Sequence, residues 1–318
     1  MIIGVTGANG FIGKSLIYQM QTDDIPHRIF CRESTLGGIK YGDKNSEIYP
    51  LGDLRSNVLQ PKAFEGVDCV VHLAGISKSP KKDKNQDLID INVRGAYQIA
   101  QNCFYAGVKR LIFLSSIKVL GEKTKIGQKF DAYSKTNPSD IYAQSKYLAE
   151  MELLRFSEKT GLDLVIIRPP MVYGPDNQSN FAKLYNLVRL GVPLPLGNIQ
   201  NKRSFVSTFN LANFIFKAAQ HPDAPGQKFL ISDDEDISTT NFVKKIALAL
   251  NKPDRLFSVS PIISNYFFDK LSKKSNLTSL ISNLEVDITE SKKLLNWHPL
   301  LSVSESIQKC VEISCAGR

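Results

Sequence analysis

The sequence has few of the residues that mark metal-binding, disulfide-bonded or membrane-spanning proteins. It contains four histidines and five cysteines among 318 residues, and no apolar run reaches about 18 residues. The cysteines lack metal-like pairing, and an odd number with three inside apolar runs indicates reduced thiols in the cytoplasm. We therefore predict no metal site and no membrane span. Because the first strand begins at residue 2, we also expect no signal peptide.

The net charge of +9 is moderately basic. Such a charge is compatible with a solubilising surface or with an anionic ligand such as a nucleotide. There is no arginine-rich stripe and no nucleic-acid-binding motif, so we predict no nucleic-acid partner. The length corresponds to about two domains, or to one large α/β domain with an appendage.

The first thirteen residues organise the chain. An apolar run is followed by three glycines at spacings that fit a short buried strand, a tight turn and a helix opening. Gly7 would form the turn, Gly10 would admit a pyrophosphate, and Gly13 would let the helix pack closely on the strand. The unpaired amides of the helix N-terminus suit an anion. The candidate cofactor contacts here are Gly7, Gly10, Phe11, Ile12 and Gly13.

Strands and helices then alternate, which indicates a parallel sheet with right-handed crossovers. We predict strands at 27–31, 48–51, 69–73, 108–114 and 162–167, and helices at 11–21, 58–64, 86–106, 138–157 and from Ser238 to about 250. The predicted fold is an α/β, Rossmann-type doubly wound parallel sheet with a smaller, mixed C-terminal substrate-binding region. We place the nucleotide-binding domain at 1–168, with a return element near 204–220, and the mainly substrate-binding region at 169–318.

The end of the second strand bears on the choice of cofactor. Arg32 stands where an adenosine ribose would lie, and Glu33 follows it. An acidic residue at this point binds the ribose hydroxyls of NAD, whereas an arginine suits the 2′-phosphate of NADP. We predict NADP slightly over NAD, although a shift of one residue would put Glu33 in place.

Ser116, Tyr142 and Lys146 form the candidate catalytic group. Tyr142 and Lys146 lie one turn apart on one helical face, and Ser116 follows the end of a strand. A nearby ammonium and a positive nicotinamide would lower the pKa of the tyrosine, which could then exchange a proton with an alcohol oxygen as hydride moves. Ser116 could hydrogen-bond the same oxygen. His72, inside an apolar run, is interpreted as a buried structural histidine.

The chain resembles the extended short-chain dehydrogenases/reductases, in the nucleotide-sugar epimerase/dehydratase group. Their motifs are matched over nearly the whole length: Gly7-x-x-Gly10-x-x-Gly13, Asp53-Leu54, His72-Leu-Ala-Gly75, Asn92-Val-x-Gly95, Ser115-Ser116, Tyr142-x-x-x-Lys146, Arg168-Pro-Pro-Met-Val-Tyr-Gly-Pro175, Arg203-Ser-Phe-Val206, Asn210-Leu211 and Leu294-Leu-Asn-Trp-His-Pro299.

The resemblance implies specific roles for several residues. Asp53 and Leu54 would contact adenine, and Pro169 would border the nicotinamide. A UDP-sugar is the commonest substrate of the group, and Asn180 and Arg203 are the best candidates for binding it. The remaining candidate cofactor contacts are Leu73, Ala74, Gly75 and Asn92.

Two departures from the group's patterns narrow the activity. Dehydratases carry Asp-Glu directly after the catalytic Ser or Thr, and here Ile117 and Lys118 stand there. Epimerases often have Asn where Met171 stands. We therefore predict a 4-keto reductase acting on C4 of a UDP-hexose or UDP-N-acetylhexosamine, for surface polysaccharide precursors. A UDP-glucose or UDP-N-acetylglucosamine 4-epimerase is the alternative.

Further alternatives are a reductase of a non-nucleotide carbonyl and a non-catalytic NADP-sensing protein on the same fold. The resemblance also leads us to expect a homodimer, in which the helices predicted at 86–106 and 138–157 would pack against their counterparts.

Overall fold

The computed structural model describes residues 1–32, 45–56, 59–77, 84–175, 180–259 and 278–316. Its strands are β1 (Ile3–Thr6), β2 (His27–Cys31), β3 (Ser46–Pro50), β4 (Cys69–His72), β5 (Arg110–Leu114), β6 (Asp163–Arg168), β7 (Met171–Tyr173), β8 (Phe205–Ser207) and β9 (Lys228–Leu230). Its α-helices are α1 (Phe11–Thr22), α2 (Lys84–Ile89), α3 (Gly95–Tyr105), α4 (Ile141–Thr160), α5 (Asn180–Arg189), α6 (Thr208–Gln220), α7 (Thr239–Ala249), α8 (Thr278–Ile281), α9 (Thr289–Leu295) and α10 (Val303–Ala316).

The main sheet confirms the predicted fold class. Its strand order is β3-β2-β1-β4-β5-β6-β9, and every neighbouring pair is parallel. Central Val5 pairs with Ile29 on one side and Val71 on the other. The chain direction across the sheet reverses between β1 and β4, and ligands of such folds bind at this switch point, beyond the carboxyl ends of the strands.

Burial on both faces explains why the strands are almost wholly apolar. Ile3, Val5 and Val165 have no exposed surface. One face packs against α1 and α6, and the other packs against α3 and α4. The sheet edge that carries the candidate site is therefore held by helices on both sides.

The predicted helices exist, but several bounds differ for local reasons. Asp140 accepts a hydrogen bond from the Ala143 amide, so α4 begins at Ile141 rather than 138. It ends at Thr160, before Gly161 with φ of +77°. A π-helical turn, Asp90–Arg94, interrupts the helix predicted at 86–106. Of the short helix predicted at 58–64, a 3₁₀ turn at Pro61–Phe64 is present, and residues 57–58 lie outside the described residues.

The C-terminal part has its own core and a small parallel sheet of β7 and β8. Phe205 and Phe242 stack at 4.3 Å between ring centroids within this core. The chain also returns to the main sheet, because α6 contacts α1 and β9 pairs with β6. The Ser238 hydroxyl caps α7 by accepting from the Asn241 amide at 3.1 Å, as predicted. The domain boundaries stay a prediction.

Two predictions from the sequence, no membrane span and no metal site, can be compared with the described part of the chain. None of its helices combines the length and apolar character that crossing a bilayer requires. Nor does it bring together three or more His, Cys, Asp or Glu side chains in a way that could bind a metal ion.

Candidate active site

The glycine turn after β1 is pressed against the end of β4. Gly7 has φ of +73°, and a Cβ there would lie 2.6 Å from the Ala74 amide nitrogen. A Cβ on Gly13 would lie 2.2 Å from the Gly7 carbonyl oxygen. Gly10 is the N-cap of α1 and offers no side chain to cap it, so the amides of the first turn can face a ligand. This turn fits a pyrophosphate group.

Asp53, which the resemblance assigns to the adenine, forms a charged pair with Arg55 that was not predicted from the sequence. Arg55 donates to both carboxylate oxygens of Asp53, at 3.0 and 2.6 Å. Mainly because of the Arg55 hydrogen bond, with Arg32 adding to it, the pKa of Asp53 falls to about 2. Arg32 therefore lies close enough to Asp53 for its charge to act on the carboxylate. Glu33 lies outside the described residues.

Leu54 follows β3, and Leu73 and Ala74 follow β4, at the carboxyl ends of these strands. Leu54 packs on the start of α3, because a Cβ added to Gly95 would lie 3.0 Å from the Cβ of Leu54. The Ala74 amide donates to Thr6 Oγ1 at 3.3 Å. These contacts fix the backbone between β4 and the turn that follows it.

His72 is structural, as predicted. It is 1% exposed, and its Nδ1 lies 2.7 Å from Thr6 Oγ1. Burial, with a smaller contribution from the Lys146 charge, lowers the pKa of His72 to about 3. The imidazole is therefore neutral at physiological pH.

Asn92 lies in the π-helical turn and fastens the segment after β4 to α4. Its amide nitrogen donates to the Ile76 carbonyl and to Ser145 Oγ, both at 2.9 Å. Its amide oxygen accepts from the Ile76 amide at 2.9 Å. A Cβ on Gly75 would lie 3.0 Å from that oxygen. π-helical turns are frequent at functional sites. Here the turn positions the buried Asn92 side-chain amide so that it makes three hydrogen bonds.

The structure brings Ser116 and Tyr142 together at the carboxyl end of β5. Ser116 caps the 3₁₀ turn Ile117–Val119 and accepts from the Lys118 amide at 3.3 Å. Tyr142 lies in the first turn of α4, with its phenol facing the Ser116 hydroxyl. An acceptor bond to Lys118 leaves the Ser116 proton available for the phenol or for a substrate oxygen.

Lys146 lies one turn further along α4. Its ammonium donates to the Leu114 carbonyl oxygen at 2.8 Å and lies 4.6 Å from the Phe113 ring centroid. Burial lowers the pKa of Lys146 to about 8, although Glu150 acts in the opposite direction. A Cβ on Gly75 would lie 3.4 Å from this ammonium, so Lys146 reaches the predicted cofactor channel.

The pKa of Tyr142 differs from the expectation. Burial raises it, the Ser116 hydroxyl and the Lys118 charge act to lower it, and Asp140 adds to the rise. The groups of the protein that favour the phenolate are therefore Ser116 and Lys118. The sequence analysis assigned this effect to Lys146 and a positive nicotinamide, because it could not place Lys118 beside Tyr142.

On the substrate side, the predicted residues are less clearly placed. The Pro169 carbonyl accepts from the Ile117 amide at 2.9 Å, which fixes Pro169 beside the Ser116 turn. Asn180 begins α5, and its side chain is outside the described part. Arg203 is 4% exposed and donates to the Ser282 carbonyl at 2.8 Å. Burial lowers the pKa of Arg203 to about 10. Its role in binding a sugar nucleotide stays a prediction.

Comparison with known proteins places these features in one family. The model described as the NAD dependent epimerase/dehydratase family matches residues 3–232. The UDP-glucose 4-epimerase of Vibrio cholerae is 34% identical over 313 residues, which cover 97% of this chain and 94% of that protein.

Solved structures share the fold across the whole chain. A UDP-glucose 4-epimerase from Thermotoga maritima, solved with UDP-glucose, has a TM-score of 0.79 at 19% identity and covers 100% of this chain and 99% of its own. A UDP-glucuronic acid 4-epimerase from Bacillus cereus, solved in complex with NAD, has a TM-score of 0.78 at 20% identity, with 99% of each chain covered. With its glycine turn and its Ser, Tyr and Lys at one edge of a Rossmann sheet, the chain belongs to the NAD-dependent epimerase/dehydratase family, the nucleotide-sugar group of extended short-chain dehydrogenases/reductases, and is an enzyme.

Proposed function

We propose that this enzyme is a 4-epimerase of a UDP-hexose or UDP-N-acetylhexosamine that retains its nicotinamide cofactor through turnover. The observation that carries the proposal is the Ser116–Tyr142 pair beside Lys146 in a chain 34% identical to a UDP-glucose 4-epimerase over nearly its full length. Ile117 and Lys118 follow Ser116, where the group's dehydratases carry Asp-Glu, so elimination of water has no acid and base here.

The residues of the chain supply the proton chemistry. Tyr142 takes the proton of the C4 hydroxyl as hydride leaves C4, and returns it to the C4 oxygen when hydride comes back to the other face. Ser116 donates a hydrogen bond to that oxygen, and Lys146 orients the cofactor ribose. The glycine turn and the α1 N-terminus would bind the pyrophosphate of NAD, which supplies hydride transfer at C4 when bound.

Replacing Tyr142 by Phe tests this assignment. We expect turnover of UDP-glucose or UDP-N-acetylglucosamine to fall by about 10³-fold or more with the bound nucleotide retained, because only the proton carrier is removed. Tyr147→Phe, which removes a hydroxyl five positions later on the same helix, is the matched control and keeps the wild-type rate. A Tyr142→Phe rate above about a tenth of wild type would contradict the proposed acid/base role.

The nucleotide released on denaturation separates the epimerase from the second candidate, a 4-keto-sugar reductase. The reductase is favoured by Met171 in place of Asn and by Arg32 beside Asp53, which suits a 2′-phosphate. Near-stoichiometric NAD supports the epimerase, because its cofactor never exchanges. An empty site or NADP would overturn the epimerase proposal and support the reductase and its NADP preference.

We also propose that the enzyme forms a homodimer through a groove between α3 and α4. The groove has a volume of about 540 Å³ and is lined by Leu59, Ile89, Val93, Tyr97 and Leu148 among others. Arg94 and Glu152 also line it, and opposite charges on one patch suit a two-fold interface that pairs with itself.

Leu148→Glu is expected to shift the protein from dimer to monomer in sedimentation velocity. An unchanged sedimentation coefficient would contradict the interface.

A further inference from the structure

Lys118 lies in the site without a part in the reaction described above. It stands two residues after Ser116, and its side chain is 32% exposed. Its ammonium donates to Asp140 Oδ2 at 2.6 Å and to Glu122 Oε1 at 3.0 Å. Two carboxylates therefore hold one cation at the edge where Ser116 and Tyr142 meet.

The contacts of Lys118 join the two segments that carry the reacting hydroxyls. Its backbone amide donates to Ser116 Oγ at 3.3 Å. Asp140, its ion-pair partner, also accepts from the Ala143 amide at 2.7 Å and so caps the first turn of α4, which contains Tyr142. One residue thus holds the Ser116 turn by its main chain and the start of the Tyr142 helix by its side chain.

We propose that Lys118 is a positioning residue for this site, which locks the Ser116 turn against the first turn of the Tyr142 helix and keeps a fixed cation beside the reacting phenol. The role of that cation in turnover rests on the proposed function. The arrangement of Lys118, Asp140 and Glu122 is independent of the proposed function.

The charges around Tyr142 support this role. Lys118 acts to lower the pKa of Tyr142, whereas burial and Asp140 raise it. The ammonium of Lys146, one turn further along α4, is bonded to the Leu114 carbonyl instead. Glu122 accepts from the Lys118 ammonium at 3.0 Å.

Lys118 also stays charged over the working range of pH. Burial opposes its protonation, but the hydrogen bonds to Asp140 and Glu122 outweigh burial and raise its pKa. Burial likewise opposes ionisation of Asp140, and the hydrogen bonds from Lys118 and the Ala143 amide lower its pKa nonetheless. Both shifts favour the ionic form of the pair.

The Lys118–Asp140 ion pair differs from an ordinary surface ion pair in the segments that it joins. Lys129 and Asp236 also meet at 2.6 Å, but they join two loops outside the Ser116 and Tyr142 segments.

The experiment titrates Tyr142 in the NAD-loaded protein by the near-ultraviolet absorbance of tyrosinate, taken as the difference between each protein and its Tyr142→Phe counterpart. The variants are Lys118→Gln, Lys118→Arg and the matched control Lys129→Gln. Lys118→Gln is expected to raise the Tyr142 midpoint by about one pH unit, because the cation is lost and Asp140 remains. Lys118→Arg restores the wild-type midpoint, and Lys129→Gln leaves it unchanged.

Kinetics give a second readout. For Lys118→Gln, we expect the acid limb of the pH profile of kcat for epimerisation to move to higher pH together with the Tyr142 midpoint. At pH values below that limb kcat then falls about tenfold, whereas at higher pH kcat recovers and KM is little changed. A structural role alone would lower kcat at every pH.

The proposal is overturned if the Tyr142 midpoint of Lys118→Gln equals that of wild type, if Lys129→Gln shifts it equally, or if Lys118→Arg fails to restore it. Should Lys118→Gln fold poorly, Lys118→Arg against Lys118→Met at matched thermal stability decides the same question. The titration needs no sugar substrate. An inactive wild-type enzyme whose Tyr142 midpoint still responds to Lys118 would reject the epimerase proposal and keep this one.

Discussion

The two halves of the molecule each bury a carboxylate, and they stabilise it in different ways. In the nucleotide-binding half, Glu150 on α4 is 1% exposed and accepts from Arg168 through both oxygens, at 3.0 and 2.6 Å. In the C-terminal half, Asp233 is 5% exposed, and its hydrogen-bond partners within the described residues are uncharged. It accepts from the Tyr173 hydroxyl, the Ser207 amide and the Asn210 side chain, at 2.7, 2.9 and 2.7 Å.

The difference shows where the fold places a full charge and where it relies on neutral donors. The Glu150–Arg168 pair joins α4, which carries the proposed catalytic residues Tyr142 and Lys146, to the end of β6, directly before Pro169. Two opposite charges in a bidentate geometry fix that junction. The Asp233 cluster joins β7 to the start of α6, and its neutral donors do not offset the loss of water, so burial raises the pKa of Asp233 to about 6.

Breaking the charged pair gives the largest effect that this comparison predicts. Arg168→Met leaves Glu150 buried without a cation, so the free energy of unfolding falls by about 3–5 kcal/mol. Urea denaturation followed by circular dichroism measures the change. Because α4 carries Tyr142 and Lys146, activity is also expected to fall in the folded fraction.

The double variant Glu150→Leu with Arg168→Met is the control. Removing both charges together leaves no uncompensated group, so most of the lost stability returns. If the double variant is as unstable as Arg168→Met alone, then packing rather than charge holds the junction.

Features set by neighbouring residues could be predicted from the sequence. Gly7 has a positive φ, a Cβ on Gly13 would meet the Gly7 carbonyl oxygen six positions away, and the Ser238 cap depends on an amide three positions away. The inner strands β1, β4, β5 and β6 are largely apolar, because both faces of the sheet are covered there. Periodicity and glycine spacing contain this information.

Features set by distant residues could not be predicted. Lys118 meets Asp140 across 22 positions, and Arg203 meets Ser282 across 79. The sequence pattern showed only a helix cap at 238 preceded by an acidic run. It did not show that Asp233 is buried while Asp234 in the same run pairs with Lys292 at the surface. Such contacts follow from how the β strands and loops assemble, not from local spacing.

A smaller predicted effect is the pH dependence of the stability that Asp233 contributes, for which its exposed neighbour Asp234 is the comparison. Folded Asp233 binds its proton more tightly than the unfolded chain does, since its pKa is about 6 when folded and 3.8 otherwise. Its contribution to the free energy of unfolding is therefore full below pH 4 and is lost as pH rises through 6. Relative to Asp233→Asn, which cannot titrate, wild type should lose roughly 2–3 kcal/mol between pH 4 and 6.5.

Asp234→Asn is the matched control for this measurement, because its carboxylate lies in the same run and its side chain is 46% exposed. Asparagine also tolerates the φ of +60° at that position. Urea titrations over the same pH range measure the difference between wild type and Asp234→Asn, against which the Asp233→Asn difference is compared. An Asp233→Asn difference that does not vary with pH would mean that the neutral donors stabilise the buried carboxylate as well as water does, and the contrast with the Arg168-paired Glu150 would then be one of geometry alone.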